Sequence, residues 1–356
     1  MTLDELRQKI DALDGEILDR LNERARCAME IGEIKRSTTA VYYVPEREKA
    51  IFEGLSRKNK GPLPEEAVRA IYREVISSIR ALEKRISVGF LGPSETFSHM
   101  ASMRVFGATA EYHPLPTVID IFTEVERKRI DYGVVPVESS MGGGVHDTLD
   151  RFVTSDVKII NEVLMRITQN LLSNSPLDKI TRVYSKDNVF VQCRNWLRAN
   201  LPHAEQIDTS STAEAARIAA EQEGAAAIAS ALAATTYNLD TLVSRIEDSP
   251  NNYTRFFIIG HQMAKPTGKD KTSILIALRD RPGALYSLLL PFSEMGINLT
   301  RIESRPSRKK AWEYVFFIDM LGHVEDENVK QVIERITEQS VEVKVFGSYP
   351  RGEVME

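Results

Sequence analysis

Residues 6–35 read LRQKIDALDGEILDRLNERARCAMEIGEIK. Leu3, Ile10, Ile17 and Ile31 follow a seven-residue interval, and Leu6, Leu13 and Ile34 keep the same interval beside them. No proline interrupts the run. The spacing predicts one long helix whose apolar seam is sustained over about 32 residues. A break follows at Ser37-Thr38-Thr39. Pro45 then opens a second helix to about Arg57, and Asn59-Lys60-Gly61-Pro62 makes a turn. Pro64 starts a third helix, with Val68, Ile71, Tyr72, Val75, Ile76 and Ile79 on its apolar side. One long helix and two shorter ones close a core poorly on about 85 residues. Pairing with a second copy solves that problem.

The rhythm changes near Arg85. Ser87-Val88-Gly89-Phe90-Leu91 is a short apolar strand, and DYGVVPVES, KITRVYS and GAAAIAS read as later strands. Helical stretches at 187–200 and 212–222 lie between them. Such alternation argues for an α/β region with largely parallel sheets, long enough for two lobes with a cleft between them. After the polar linker AKPTGKDKT (264–272), the order becomes strand, helix, strand, strand, helix, strand. This is the ferredoxin-like order. The fold class expected is therefore multidomain: an all-α helical domain over 1–85, an α/β two-lobed domain over 86–263, and an α+β ferredoxin-like domain over 271–350.

Composition narrows the function. The 356 residues carry 46 Lys and Arg against 51 Asp and Glu, a net charge of −5. A mildly acidic chain without a basic run argues against nucleic-acid binding. A hydrophobic share of 42% with 27% charged residues is that of ordinary globular domains. Cys27 and Cys193 are far apart and show no metal-ligand spacing, and the six His form no HExxH pair, so no metal or other cofactor is expected. There is no signal-peptide core and no run near the ~20 apolar residues of a membrane span. The expectation is a cytoplasmic protein without a membrane partner.

Arg24 occupies the seam series 3, 10, 17, 24, 31, whose other members are Leu or Ile. A guanidinium there costs several kcal/mol unless an anion meets it. A register-setting polar residue or a snorkelling side chain is the plainer explanation, and Arg20 is open to it as well. Lys35 lies about 20° around and roughly 16 Å along the helix from Arg24, so the two can grip a small dianion. Arg7 is about 25 Å from Arg24 on the same helix, out of reach. In an antiparallel pair centred near residue 18, Arg7 of the partner subunit falls between Arg24 and Lys35. Arg47, a cation in the first turn of the second helix, is a fourth candidate against the helix dipole.

These residues carry a resemblance. The stretch 6–35, followed by PERE and a third helix ending ALEK, resembles the all-helical chorismate mutase family. The resemblance implies an intertwined dimer that rearranges chorismate to prephenate. Arg7 (from the partner chain), Arg24 and Arg47 would hold the two carboxylates. Lys35 and Glu83 would hydrogen-bond the ether oxygen whose bond breaks, and Glu48 would accept from the substrate hydroxyl. The reaction is pericyclic, so fixing a compact conformer and stabilising charge on that oxygen suffice. Val44 stands where an Asp often contacts substrate, and Ile79 where a Ser often lies.

The middle region places polar clusters at strand ends: 92–98, 136–140, 210–213 and 251–256. Ligands in open α/β sheets bind beyond the carboxyl ends of strands. Each Ser-Thr cluster alone reads most simply as a helix cap, and Ser211 with Glu214 fits a capping box. Gly142-Gly143-Gly144 reads as a turn or a carboxylate cradle. Taken together, FLGPSETFSHMA, VPVESSMGGGVHDTLDRF, STAEAA, AAIASALAATTYNL and NNYTRFFIIG resemble the prephenate dehydratase family in order and spacing. The resemblance implies two lobes like those of solute-binding proteins, with prephenate between them losing water and carbon dioxide to give phenylpyruvate. Thr254 would be the proton donor, acting through a hydrogen bond because a threonine is a feeble acid. Arg255 would pair with a carboxylate or brace the loop, and Phe256 would pack. Thr96, Glu138, Ser139, Thr148 and Ser211 would line the cleft. Ser139 replaces a usual Asn, and Glu95 a usual Gly or Ala.

In the last region, PGALYSLLLPFSEMGINLTRIESRP resembles the ACT regulatory family. Asp280-Arg281-Pro282-Gly283 sets the turn before its first helix. The resemblance implies L-phenylalanine bound between two such domains as an effector. Gly283, Ala284 and Leu285 would meet its polar end, and Glu303, Ser304 and Arg305 would close over it. Together the three resemblances imply two successive steps of L-phenylalanine synthesis under feedback inhibition. They also imply a homodimer or higher homo-oligomer whose small-molecule partners are chorismate, prephenate and L-phenylalanine. One alternative is a regulated dehydratase whose helical domain only dimerises. Another is a non-enzymatic solute-binding or amino-acid-sensing protein, which would leave Arg24 and Lys35 unexplained. A glutamate must be protonated to donate, so mutase turnover should rise toward acid pH if Glu83 is the donor. A rate flat from about pH 5 to pH 9 would contradict that role.

Overall fold

The structure is a computed structural model that describes residues 1–36, 41–279, 281–306 and 314–355. Residues 1–86 with 105–111 form one compact unit, and 87–104 with 112–356 form the other. The first unit holds α1 (Leu3–Arg36), α2 (Pro45–Lys58) and α3 (Glu65–Glu83). Pro45 sits in the first turn of α2, where a missing N–H is harmless. The apolar side of α3 buries Ile76 and Ile79, and Ser77 Oγ meets Thr109 Oγ1 at 2.6 Å. Tyr43 is buried with its ring 4.8 Å from Phe106. Little of α1 is covered. Residues 1–20 are all exposed, including Leu6, Ile10, Leu13 and Ile17.

The second unit begins with β1 (Ser87–Leu91), α4 (Phe97–Phe106), β2 (Glu111–Leu115), α5 (Val118–Glu126), β3 (Tyr132–Ser139), β4 (Gly143–Gly144), α6 (His146–Thr154) and β5 (Lys158–Arg166). A second lobe follows with β6 (Asn170–Leu172), β7 (Arg182–Ser185), α7 (Asp187–Gln192), α8 (Arg194–Asn200), β8 (Glu205–Asp208), α9 (Thr212–Ala220), β9 (Ala225–Ala229), α10 (Ala231–Tyr237) and β10 (Thr241–Val243). The chain then returns through β11 (Tyr253–Gly260). The C-terminal region is β12 (Asp270–Ala277), α11 (Ala284–Glu294), β13 (Leu299–Pro306), β14 (Tyr314–Leu321), α12 (Glu327–Gln339) and β15 (Glu342–Pro350), closed by β16 (Val354–Met355).

Among the described residues three sheets result, ordered β16-β5-β11-β3-β1-β2 with β4 on β3, then β10-β6-β9-β7-β8, then β13-β14-β12-β15. The last is the ferredoxin-like order. The first two are mixed rather than largely parallel. β11 comes back from the second lobe and runs antiparallel to both β3 and β5, and β6 runs antiparallel to β9. The helix expected over 187–200 is two helices meeting at Cys193. There the Asp248 carboxylate accepts from the N–H groups of Asn195 and Trp196, capping the second helix with a negative charge.

The first and third sheets share one core. Phe152 meets Phe122 edge-on at 4.9 Å and Phe346 at 5.0 Å, with Val135, Phe257, Leu275 and Phe317 around them. The closest approach is at Gly347, where a Cβ would lie 2.1 Å from the Ile159 carbonyl oxygen. Backbone cannot yield as a flexible side chain does. Gly347→Ala should therefore destabilise this unit by about 1–3 kcal/mol, read as a lower denaturant midpoint.

Candidate active and effector sites

In the helical unit, Arg24 is half-buried in α1 and Arg47 is exposed in the first turn of α2. Arg7 is exposed, with Nη1 3.7 Å from Asp4 Oδ1. Lys35 belongs to α1, but its side chain lies outside the described residues. Glu83, at the end of α3, packs on α1 at Gly32, where a Cβ would lie 3.0 Å from Glu83 Cγ and Oε2. A glycine at 32 thus lets the carboxylate approach the helix that carries Arg24 and Lys35. Glu48 meets Arg80 Nη1 at 3.2 Å. Burial pushes the Glu48 carboxyl above its ordinary range, against the pull of Arg80 and Arg73. Arg80 was not singled out by the sequence reading. It is 8% exposed and lies over the Tyr43 ring at 5.5 Å. The available signal was the same as for Arg24: a cation on an apolar helix side.

In the second unit, two chain crossings join the lobes side by side. Ile167 N donates to Asn252 O, and Ile246 N to Gln169 O, each at 2.8 Å. Gln192 Oε1 accepts from Gln169 Nε2 at 3.1 Å and from Asn252 Nδ2 at 2.9 Å, pinning both crossings. Thr254 follows directly on β11, half-buried and in register with Ser139 on β3. Ser230 Oγ bridges the lobes by donating to the Glu95 carbonyl at 3.0 Å. Glu95 has φ 65°, a left-handed conformation that favours glycine. Burial raises its carboxyl, and burial with the Glu95 and Glu214 charges raises the Tyr237 hydroxyl. The His99 ring is stacked on Phe90 at 4.6 Å, and burial lowers its pKa.

Other expected cleft residues are placed differently. Thr148 is fully buried and donates to the Pro136 carbonyl at 2.6 Å. Thr96 caps α4, its hydroxyl bonded to the carbonyls of Leu91 and Pro93. Ser211 caps α9 by accepting from Glu214 N at 3.1 Å, while the Glu214 carboxylate is taken by Arg217. Phe256 is 1% exposed and belongs to the core rather than the crevice. Arg255 faces away from Thr254, as alternation along a strand requires. It is 7% exposed, with Nε 2.7 Å from Glu162 Oε2, Nη1 2.5 Å from Asp319 Oδ2 and Nη2 3.1 Å from the Tyr349 hydroxyl. Burial opposes its charge, but Asp319, Tyr349 and Glu162 together hold its pKa well above the ordinary value. Glu138 turns the same way, 3.6 Å from Arg255 Nη1 and 3.9 Å from Arg301 Nε.

In the C-terminal region, Gly283 has φ 78° and starts α11, so the turn requires a glycine there. Ala284 and Leu285 form its first turn, and Ala284 lines a small hollow together with Leu278, Arg279, Arg281 and Gln339. Asp280 lies outside the described residues. Strand β13 alternates strictly. Ser304 is exposed, whereas Glu303 pairs with Arg301, and Arg305 meets Asp150 at 3.2 Å. A Cβ on Gly144 would lie 2.5 Å from Glu303 Oε2, so the glycine run gives β13 room.

A bifunctional chorismate mutase/prephenate dehydratase of Aquifex aeolicus is 51% identical over 359 residues, spanning 99% of each chain. The chain belongs to the bifunctional chorismate mutase/prephenate dehydratase family. An enzyme of the same description from Stutzerimonas stutzeri is 46% identical over 97% of each chain. The family models for chorismate mutase type II, prephenate dehydratase and the ACT domain match residues 6–84, 88–264 and 272–338. A solved prephenate dehydratase from Arthrobacter aurescens, in complex with L-Phe, superposes with a TM-score of 0.70 at 35% identity. It covers 75% of this chain and 90% of its own. The chain is therefore an isomerase and a carbon–oxygen lyase. It rearranges chorismate to prephenate, then dehydrates and decarboxylates prephenate to phenylpyruvate. The full-length match to bifunctional enzymes, with the mutase family model over 6–84, supports both activities over the alternative in which the helical region serves only to dimerise. Thr254→Ala should lower dehydratase turnover about 10²-fold or more while mutase turnover holds, measured as separate steady-state assays. Equal loss of both would indicate unfolding instead.

Proposed function

We propose that the mutase works as a pair of chains, each lending Arg7 to the other's pocket. The carrying observation is the exposed seam of α1. Leu6, Ile10, Leu13, Ile17 and Ile31 present one apolar stripe to solvent, and a second α1 is the surface that matches its repeat. Arg24, Arg47 and Arg7 of the partner subunit then hold the substrate carboxylates. Lys35 and Glu83 take the ether oxygen, and Glu48 takes the hydroxyl. The 1–85 region is the mutase domain in this reading, 86–263 the dehydratase domain and 271–350 the regulatory domain.

The dehydratase reaction runs at the end of β11 and β3, with Thr254 as hydrogen-bond donor to the departing hydroxyl and Ser139 beside it. The crevice between the lobes excludes water and aromatisation drives the step. L-Phenylalanine inhibits by binding at the turn before α11, with Gly283, Ala284 and Leu285 around its polar end and Ser304 on the exposed side of β13. Supporting this is the L-Phe in the Arthrobacter aurescens dehydratase complex. Among the described residues no helix is long and apolar enough to cross a membrane, which accords with a cytoplasmic site of action.

Subunit complementation tests the shared pocket. Arg7→Ala and Arg24→Ala chains should each have little mutase activity alone. Mixed and allowed to exchange, they should recover about a quarter of the native activity, because half the pairs are mixed and each mixed pair has one intact pocket. No recovery on exchange would place Arg7 outside the pocket.

A further inference from the structure

Two cross-strand pairs face each other where the dehydratase sheet meets the ACT sheet. On the dehydratase side, Arg255 of β11 stands opposite Glu138 of β3. On the ACT side, Arg301 of β13 stands opposite Asp319 of β14. Arg255 is 2.5 Å from Asp319 and 3.6 Å from Glu138, and Arg301 is 3.9 Å from Glu138. The charges alternate in sign around the four. Three of them are nearly closed to solvent: Arg255 is 7% exposed, Asp319 4% and the Arg301 side chain 9%. Charge pairs at this depth are weakly screened, so movement of one member is felt by the others.

The ring sits one residue from the dehydratase crevice. The next register pair along β11 and β3 is Thr254 with Ser139. A bulge lies between Arg255 and Phe256, and a bulge re-aims neighbouring side chains. Arg301 lies on β13, three residues before Ser304, and pairs with Glu303 against Gly144. One strand thus joins the effector side of the ACT domain to the sheet that presents Thr254.

We propose that the Arg255–Glu138–Arg301–Asp319 ring is the coupling element through which the ACT domain controls the dehydratase. Arg255 and Glu138 act here as coupling residues rather than substrate ligands. A shift of β13 on effector binding moves Arg301, changes the hold of Asp319 on Arg255 and turns the bulged strand that aims Thr254. Small displacements suffice, since misplacement by about 1 Å can lower a rate 10²-fold. The proposal rests on the reading of L-phenylalanine as inhibitor.

Asp319→Asn and Arg301→Gln in the full-length chain test it. Dehydratase rate is measured against L-phenylalanine concentration, and L-phenylalanine binding is measured separately by calorimetry. Both variants should bind the amino acid within about threefold of the native chain, while the factor by which bound effector slows the dehydratase falls about tenfold. Mutase rates should not change. Arg301→Gln lies at an edge strand and carries the test alone if Asp319→Asn does not fold. Full inhibition in the variants overturns the coupling, and so does loss of binding together with inhibition, which would make these residues effector ligands. No inhibition of the native chain would overturn the effector reading first, and the coupling with it.

Discussion

An apolar stripe without a cover constrains the whole amino-terminal unit. Residues 3–20 of α1 are exposed in the single chain, and Ile10, Ile17 and Ile31 are each about half open to water. Isolated helices draw little stability from propensity alone, and most of it comes from packing an apolar face. In the proposed pair a second copy would supply that face. The same pairing would bring Arg7, 17 positions from Arg24, back toward it, so that burial of the seam and assembly of the anion pocket would be one event.

The second unit solves a different problem. Its dehydratase and ACT sheets share the Phe152–Phe346 core and enclose a buried guanidinium. Arg255 is tolerable there because Glu162, Asp319 and Tyr349 all meet it, and Lys271 balances Glu162 at 3.0 Å. Removing one partner from such a cluster leaves a charge uncompensated in a poor solvent for it. The arrangement ties the strand carrying Thr254 to the ACT sheet more tightly than a flexible linker would.

Legibility in the sequence followed range. The seven-residue repeat of α1, the proline starts of α2 and α3 and the βαββαβ order are local patterns, and each was readable. The crevice was half readable. Thr254 and Ser139 do lie in register on β11 and β3, while Arg255, expected to pair with a carboxylate or brace the loop, lies on the opposite face of the strand from Thr254, as alternation requires. Thr96 and Thr148 are chemically plausible hydroxyls whose commitments to backbone groups appear only in three dimensions, whereas the Ser211 cap on Glu214 N is the capping box that the sequence spells. The partners of Arg255 come from β5, β14 and β15, single charged or polar residues in separate strands with no periodic signature. Glu95 stands where Gly or Ala is usual, and its φ of 65° is a left-handed conformation of the kind a glycine adopts without cost.

Sedimentation velocity across a dilution series, with chorismate consumption measured on the same samples, tests the central claim most directly. The account predicts a dimer or larger assembly whose mutase activity falls as it dissociates to monomer. A stable monomer that consumes chorismate at the full rate would contradict it.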